Sequence, residues 1–157
     1  ASTDTLFFAI IDLANGAPVG IASYLRITPE QGTIEVGHLN FSPAMQRTPI
    51  ATEAMWLMMR EASALGFRRY EWKCNVLNGP PRRAAQRLGF SFEGVFRQAA
   101  VVKGRNRDTA WYAAINHEWP ALDAAFKTWL AAENFDAEGH QRVALSTLTR
   151  PILVATD

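Results

Sequence analysis

The sequence predicts an α+β fold, a mixed α/β sheet with helices packed on it. Three observations carry the prediction. Strand-like runs separated by short polar turns fill roughly the first forty residues. A run of clear helical period follows. Strand-like and helical runs then alternate to about Ile115. Length and composition agree. With 157 residues, 48% hydrophobic and 20% charged, the chain is expected to form one domain, residues 1–157, with a sizeable core and a helical C-terminal tail over about 117–149.

In order, Leu6–Asp12 (LFFAIID) reads as a strand and Asn15-Gly16 as a hairpin turn. Val19–Thr28 is a second strand, Pro29–Gly32 a second turn and Thr33–Phe41 a third strand. Three strands on short turns make an antiparallel meander. Pro43 ends the third, because proline lacks the N–H a ladder needs. The central helix follows. Ala51, Met55, Met58, Ala62 and Leu65 recur at i, i+4, i+7, i+11 and i+14, one face at the helical period. Thr48 is placed to cap it, Pro49 suits its first turn and Gly66 stops it. Arg68–Asn75 is a fourth strand, reached through that helix. Asn78-Gly79-Pro80-Pro81 interrupts the chain, and Arg82–Leu88 is a short helix ended by Gly89. Phe92–Val102 and Thr109–Ile115 read as a hairpin. The tail from His117 to Leu148 holds two helical patterns, the first with Leu122, Phe126 and Trp129 on one face.

Several chemistries are set aside. The formal net charge of +1 does not argue for nucleic acid or an anionic membrane as partner. There is neither GxGxxG after a strand nor GxxxxGK[ST]. His38, His117 and His140 lack metal-site spacing, so no metal is expected. The single cysteine, Cys74, reads as a small core residue and fits a reducing, cytoplasmic compartment. No apolar run is long enough to span a bilayer, and no secretory signal opens the chain. Arg68, Arg69, Arg82, Arg83 and Arg87 are dense, and a solvated surface is the plain reading for most of them.

One feature points to a ligand. A strand feeds through a short loop into a helix whose N-terminus is free. Unpaired N–H groups and the helix dipole make such an end a site for negative charge, and Arg47 stands beside it. The bland alternative is an ordinary strand-turn-helix unit.

The element order, with SPAMQRTPIATEAM and then NGPPRRAAQRLGFSFEGVFRQAAVVKGRNRDTAWYAAINHEW, resembles the GNAT superfamily of acyl-CoA-dependent N-acetyltransferases. Within it, the chain is similar to the branch of RimJ/RimL-type protein N-terminal acetyltransferases. The resemblance covers about Leu6 to Pro120. Its most specific parts are Thr52-Glu53-Ala54, Asn78, Leu88-Gly89-Phe90 and Phe92-Glu93-Gly94.

The resemblance implies acetyl-CoA as co-substrate and an amine as acceptor. It implies that the loop of Gln46, Arg47, Thr48, Ile50, Ala51 and Thr52 wraps the pyrophosphate through backbone N–H groups. It implies that the third and fourth strands splay, that the pantetheine arm lies beside His38–Phe41, and that Asn78 and Arg83 meet the cofactor. Two positions depart from the family pattern. Pro49 stands where the loop has glycine and removes one N–H donor. Pro81 stands where related enzymes often have a serine acid, and Ala85 where others have tyrosine.

The chemistry implied is amine attack on a thioester, which needs a base, an oxyanion donor and an exit for the thiolate. Glu35 is the base candidate. In a regular strand His38, three residues on, points to the opposite face. A salt-bridged strand glutamate is the alternative for Glu35. Three readings stand: an active N-acetyltransferase, a non-catalytic acyl-CoA-binding sensor, and an interaction protein that uses the open sheet edge. The family's N-terminal strand and helical pair, which wall the acceptor side, have no counterpart ahead of Leu6, and more natural chain is expected there. The uncharged run Leu6–Ile11 therefore predicts a homodimer, or a fold completed by another segment.

Overall fold

Alternating and apolar runs in the first third become strands where expected. The computed structural model describes residues 4–157, in two compact units that divide inside the fourth strand, between Tyr70 and Glu71. The first unit holds strands β1 (Leu6–Asp12), β2 (Ala17–Thr28) and β3 (Thr33–Phe41) and helix α1 (Pro49–Ala64). The second holds most of β4 (Arg69–Asn75), then α2 (Gly79–Arg87), β5 (Ser91–Val102), β6 (Arg105–Ile115), α3 (Trp119–Leu130) and α4 (Leu145–Thr149), with short 3₁₀ turns after α3 and α4. No helix among the described residues is long and apolar enough to cross a membrane.

In the first unit β1, β2 and β3 form the expected antiparallel meander, with β1 paired to β2 and β2 to β3. The ladder is not regular. Its register shifts between Ile21 and Ser23 and between Leu25 and Thr28, and Arg26 and His38 take positive φ of 48° and 49°. Tyr24, Ile34, Val36, Met55, Met59 and Ala62 are buried here. The Tyr24 hydroxyl donates to the Met58 carbonyl and ties β2 to α1; burial pushes its phenol pKa up.

The buried stripe of α1 is Thr52, Met55, Met59 and Ala62, with Met58 half-buried and Leu65 exposed. The expected stripe was rotated from it by part of a turn, because a polar but small Thr52 is buried in place of Ala51. The helix stops at Leu65, and Gly66 takes the left-handed φ of 87° that the stop requires.

In the second unit the strand order is β4-β6-β5. α2 begins three residues earlier than the sequence reading, at Gly79, since Pro80 and Pro81 fall in the first turn, where a missing N–H costs nothing. β6 likewise begins at Arg105. The hairpin turn is only Lys103-Gly104, both at positive φ (50° and 73°), which matches the twist of paired strands. Leu122, Phe126 and Trp129 on α3 are buried within this unit, so the tail's first helix packs on its own chain. The second tail pattern yields only the five-residue α4. Gly89 has φ 88°, and a Cβ there would stand 2.2 Å from a Leu122 methyl, which accounts for Leu88-Gly89-Phe90.

Candidate functional site

The loop from β3 to α1 winds tightly. Ser42 N–H donates to the Val19 carbonyl, and the N–H groups of Met45 and Gln46 both donate to the Ser42 carbonyl. Met45 is fully buried and pins the loop against β2. It sits so close to Gly20 that a Cβ there would lie 2.9 Å from Met45 Sδ and 3.0 Å from the Asn40 carbonyl oxygen. Gln46 Nε2 donates to the Phe41 carbonyl at 2.8 Å, which ties the strand end to the loop. Arg47 turns the chain with φ 62° and is exposed.

Thr48 occupies the N-cap position, but its side chain does not cap. The hydroxyl donates to the Met45 carbonyl at 2.7 Å instead. The first turn of α1 also contains no acidic residue. Pro49 has no N–H, so the open donors are those of Ile50 and Ala51, while Thr52 is buried beneath them. This helix end, with Arg47 next to it in the chain, thus has neither a side-chain cap nor a carboxylate in its first turn. Ser42 Oγ, which the sequence reading missed, is buried in the same loop without a hydrogen-bond partner. Only its place before Pro43 could have marked it.

Glu35 on β3 is buried. Arg26 Nη1 donates to its Oε2 at 2.7 Å, with side-chain exposures of 58% for Arg26 and 6% for Glu35. Arg26 was not foreseen. His38 is exposed, and the Ser23 hydroxyl lies 2.8 Å from its Nδ1 and 3.0 Å from the Gly37 carbonyl. The face argument that separated Glu35 from His38 assumed a regular strand. The positive φ at His38 and the shifted register remove that assumption.

Within the second unit, Asn78 is the N-cap residue of α2 and exposed, and its side chain makes no capping bond. Arg83 is exposed over Gly79, where a Cβ would stand 3.0 Å from Nη1. Pro81 lies in the first turn of α2 and Ala85 is fully buried, so neither position offers an acid. Cys74 is buried, and burial pushes its thiol pKa up. Of the five arginines, Arg68 and Arg83 are exposed, as a solvated surface requires, and Arg69, Arg82 and Arg87 are half-buried. Arg68 Nε donates to the Gln31 carbonyl, Arg82 holds Asp157 and the Val76 carbonyl, and Arg87 stacks over Trp129. Asp136, Glu138 and His140 bring ligand atoms within 4.8 Å of one another on an exposed loop. Asp136 Oδ1 there accepts the N–H groups of Glu138 and His140, the geometry of a local turn.

A family model described as the acetyltransferase (GNAT) domain matches residues 1–91, more than half of the chain. The chain belongs to the GNAT acetyltransferase domain family. Among curated proteins of this kind, the ribosomal-protein-serine acetyltransferase of Escherichia coli (strain K12) is 31% identical over 98 residues. That match covers 62% of this chain and 54% of the relative, so the chain spans about half the length of the curated protein it matches. A GCN5-related N-acetyltransferase from Brucella melitensis has a crystal structure 52% identical, with a TM-score of 0.91 over 95% of this chain and 68% of that one. A GNAT-family structure from Chromobacterium violaceum ATCC 12472 is 43% identical, with a TM-score of 0.73 over 77% of this chain and 61% of that one.

Proposed function

We propose that this GNAT chain is an N-acetyltransferase that moves the acetyl group of acetyl-CoA to a primary amine of a small molecule or a protein N-terminus. The observation that carries the reading is the open N-terminus of α1. Its Ile50 and Ala51 N–H groups have no capping side chain, no acid stands in its first turn, and Arg47 lies next to it. That is the arrangement a pyrophosphate needs. Gln46, Thr48 and Thr52 belong to that loop, Phe41 borders the pantetheine arm, and Asn78, exposed at the start of α2, is a candidate for cofactor contact. Arg83 is a further candidate for cofactor contact.

In the reaction the neutral amine attacks the thioester carbonyl carbon. The C–N bond forms, the C–S bond breaks and coenzyme A leaves as thiolate. Glu35 takes the amine proton, directly or through one water, while Arg26 orients its carboxylate. The thiolate departs without a side-chain acid at Pro81 or Ala85, which costs rate but not reaction, since a thiolate is a fair leaving group. A seryl N-terminal peptide is the first acceptor to test, because the curated relative is a ribosomal-protein-serine acetyltransferase. The buried, unpaired Cys74 fits a cytoplasmic setting. The exposed β1 edge supports a homodimer.

The experiment is release of free thiol from acetyl-CoA with a panel of amines that includes seryl peptides and polyamines. Acceptor-dependent thiol release is the expected result. Saturable acetyl-CoA binding without release from any amine would leave a non-catalytic sensor, and no binding would overturn both readings.

A further inference from the structure

Helix α2 turns a second set of cations toward a cavity of about 380 Å³ in the C-terminal unit. Arg83 and Arg87 stand one turn apart on it. Ser146 and Arg150, also four residues apart, come from α4 and the 3₁₀ turn after it, and Thr156 and Asp157 come from the tail.

The cavity holds three guanidinium groups and one side-chain carboxylate, and that carboxylate is already committed. Asp157 accepts from Arg82 Nε at 2.7 Å, from the Tyr112 hydroxyl at 2.5 Å and from Gln86 Nε2. Arg82 Nη2 stands 2.6 Å from the same carboxylate. Its charge is spent on Arg82, which is not part of the cavity wall. Neither Arg83 nor Arg150 has an ion pair among the described residues. Arg87 is half-buried with its guanidinium 5.2 Å from the centre of the Trp129 ring, and burial lowers its pKa. A cation drawn partly out of water in this way is favoured by a nearby anion.

We propose that this cavity is a binding site for a small phosphate-bearing anion of two or more negative charges. Planar arginine forks match phosphate oxygens in pairs, and the Ser146 and Thr156 hydroxyls supply further donors. The volume is at the small end of ligand pockets, which suits a metabolite-sized ion and not a polymer. Arg83 is shared with the acetyl-CoA reading, whereas Arg87 and Arg150 are not, and the assignment is tested on Arg150. On α2, Arg83 and Arg87 occupy a different side from the buried Ala85 and Leu88.

Calorimetry on the full chain with inorganic pyrophosphate, at fixed ionic strength, tests it. Arg47→Glu serves as the background in which binding at the α1 terminus is weakened. In that background pyrophosphate still binds, and adding Arg150→Glu weakens it at least tenfold. Arg150 is exposed, so the fold tolerates the change; Arg150→Gln, with an intermediate loss, guards against a charge-reversal artefact. Arg150→Glu alone leaves acetyl-CoA affinity unchanged. Pyrophosphate binding indifferent to Arg150 overturns the site. Equal binding of citrate overturns the phosphate chemistry, and a matching loss of acetyl-CoA affinity assigns the cavity to that substrate and overturns the proposal.

Discussion

Arg47 carries the one side-chain charge of the loop that begins α1, and its φ of 62° sets it outside the helix. The contact proposed between it and a pyrophosphate is charge-assisted and lies at an exposed position, so salt would screen it. Arg47→Glu is expected to weaken acetyl-CoA binding about tenfold or more, with a larger loss at low ionic strength, as read by calorimetry at two salt concentrations. Unchanged affinity would remove the pyrophosphate from this loop. As the proposed base, Glu35 would act on the amine and not on the cofactor. Glu35→Gln keeps a hydrogen-bond acceptor for Arg26 and is expected to lower turnover by about 10²–10⁴ with acetyl-CoA affinity nearly intact. The same acidic limb in the pH–rate profile of the variant would count against Glu35 as base. At this scale the sequence marked local positions better than it marked what their side chains touch. Thr48 was legible as the N-cap position because Pro49 follows it. Its bond to Met45 was not, since a threonine hydroxyl has several local acceptors within reach. Arg26 was not legible as the partner of Glu35, because the offset across β2 and β3 is set by an irregularity that no periodic pattern marks.

Helices and strands were legible where a period or a turn residue announced them. β3 follows its predicted bounds, and α1 begins at the proline that suited its first turn. The start of α2 was misplaced because two prolines read as a break, although the first turn of a helix is where proline is tolerated. The end of α2 was legible from Gly89, and the structure adds the reason: a left-handed residue in contact with Leu122 of α3. Gly89→Ala therefore combines a strained φ with a collision against a buried side chain. It is expected to destabilise the fold by about 1–3 kcal/mol from the backbone alone, with a further loss if Leu122 cannot shift. Chemical denaturation would show a lower midpoint at an unchanged slope. A midpoint equal to that of the parent would mean that the α2–α3 contact adjusts freely, and that Leu88-Gly89-Phe90 owes its glycine to something else.

Over the whole molecule, two features control behaviour in solution. The first is acid sensitivity through Asp157, whose side chain is only 6% exposed. Burial raises its pKa, but the Tyr112 hydroxyl and Arg82 outweigh that and hold it below the usual carboxylate range. A depressed folded-state pKa contributes stability that is present above the unfolded value, about 3.9, and lost as pH falls through the lower folded value. Asp157→Asn is thus expected to be less stable than the parent at pH 7, with the gap closing below about pH 4; a gap that persists at pH 2 would assign the effect to packing. The second feature is the β1 edge. Among the described residues β1 is paired on one side, to β2. Leu6, Phe7, Phe8 and Ile11 are exposed by 51%, 62%, 41% and 43%, and no charge interrupts them before Asp12. The run was legible from its composition, whereas its exposure on both faces was not, because apolar strands are ordinarily buried. An edge of this kind presents unpaired N–H and C=O groups beside apolar side chains, which is the template for pairing with another strand. The apolar face of α3 does not remain as an alternative sticky surface, since Leu122, Phe126 and Trp129 are buried in their own unit. Self-association of this chain is therefore expected to run through β1. Light scattering at micromolar concentration should give a dimeric mass, and Phe7→Lys, which places a charge on the exposed edge, should return it to monomer. A monomeric mass for the unaltered chain, or a dimer indifferent to Phe7→Lys, would take β1 out of the assembly.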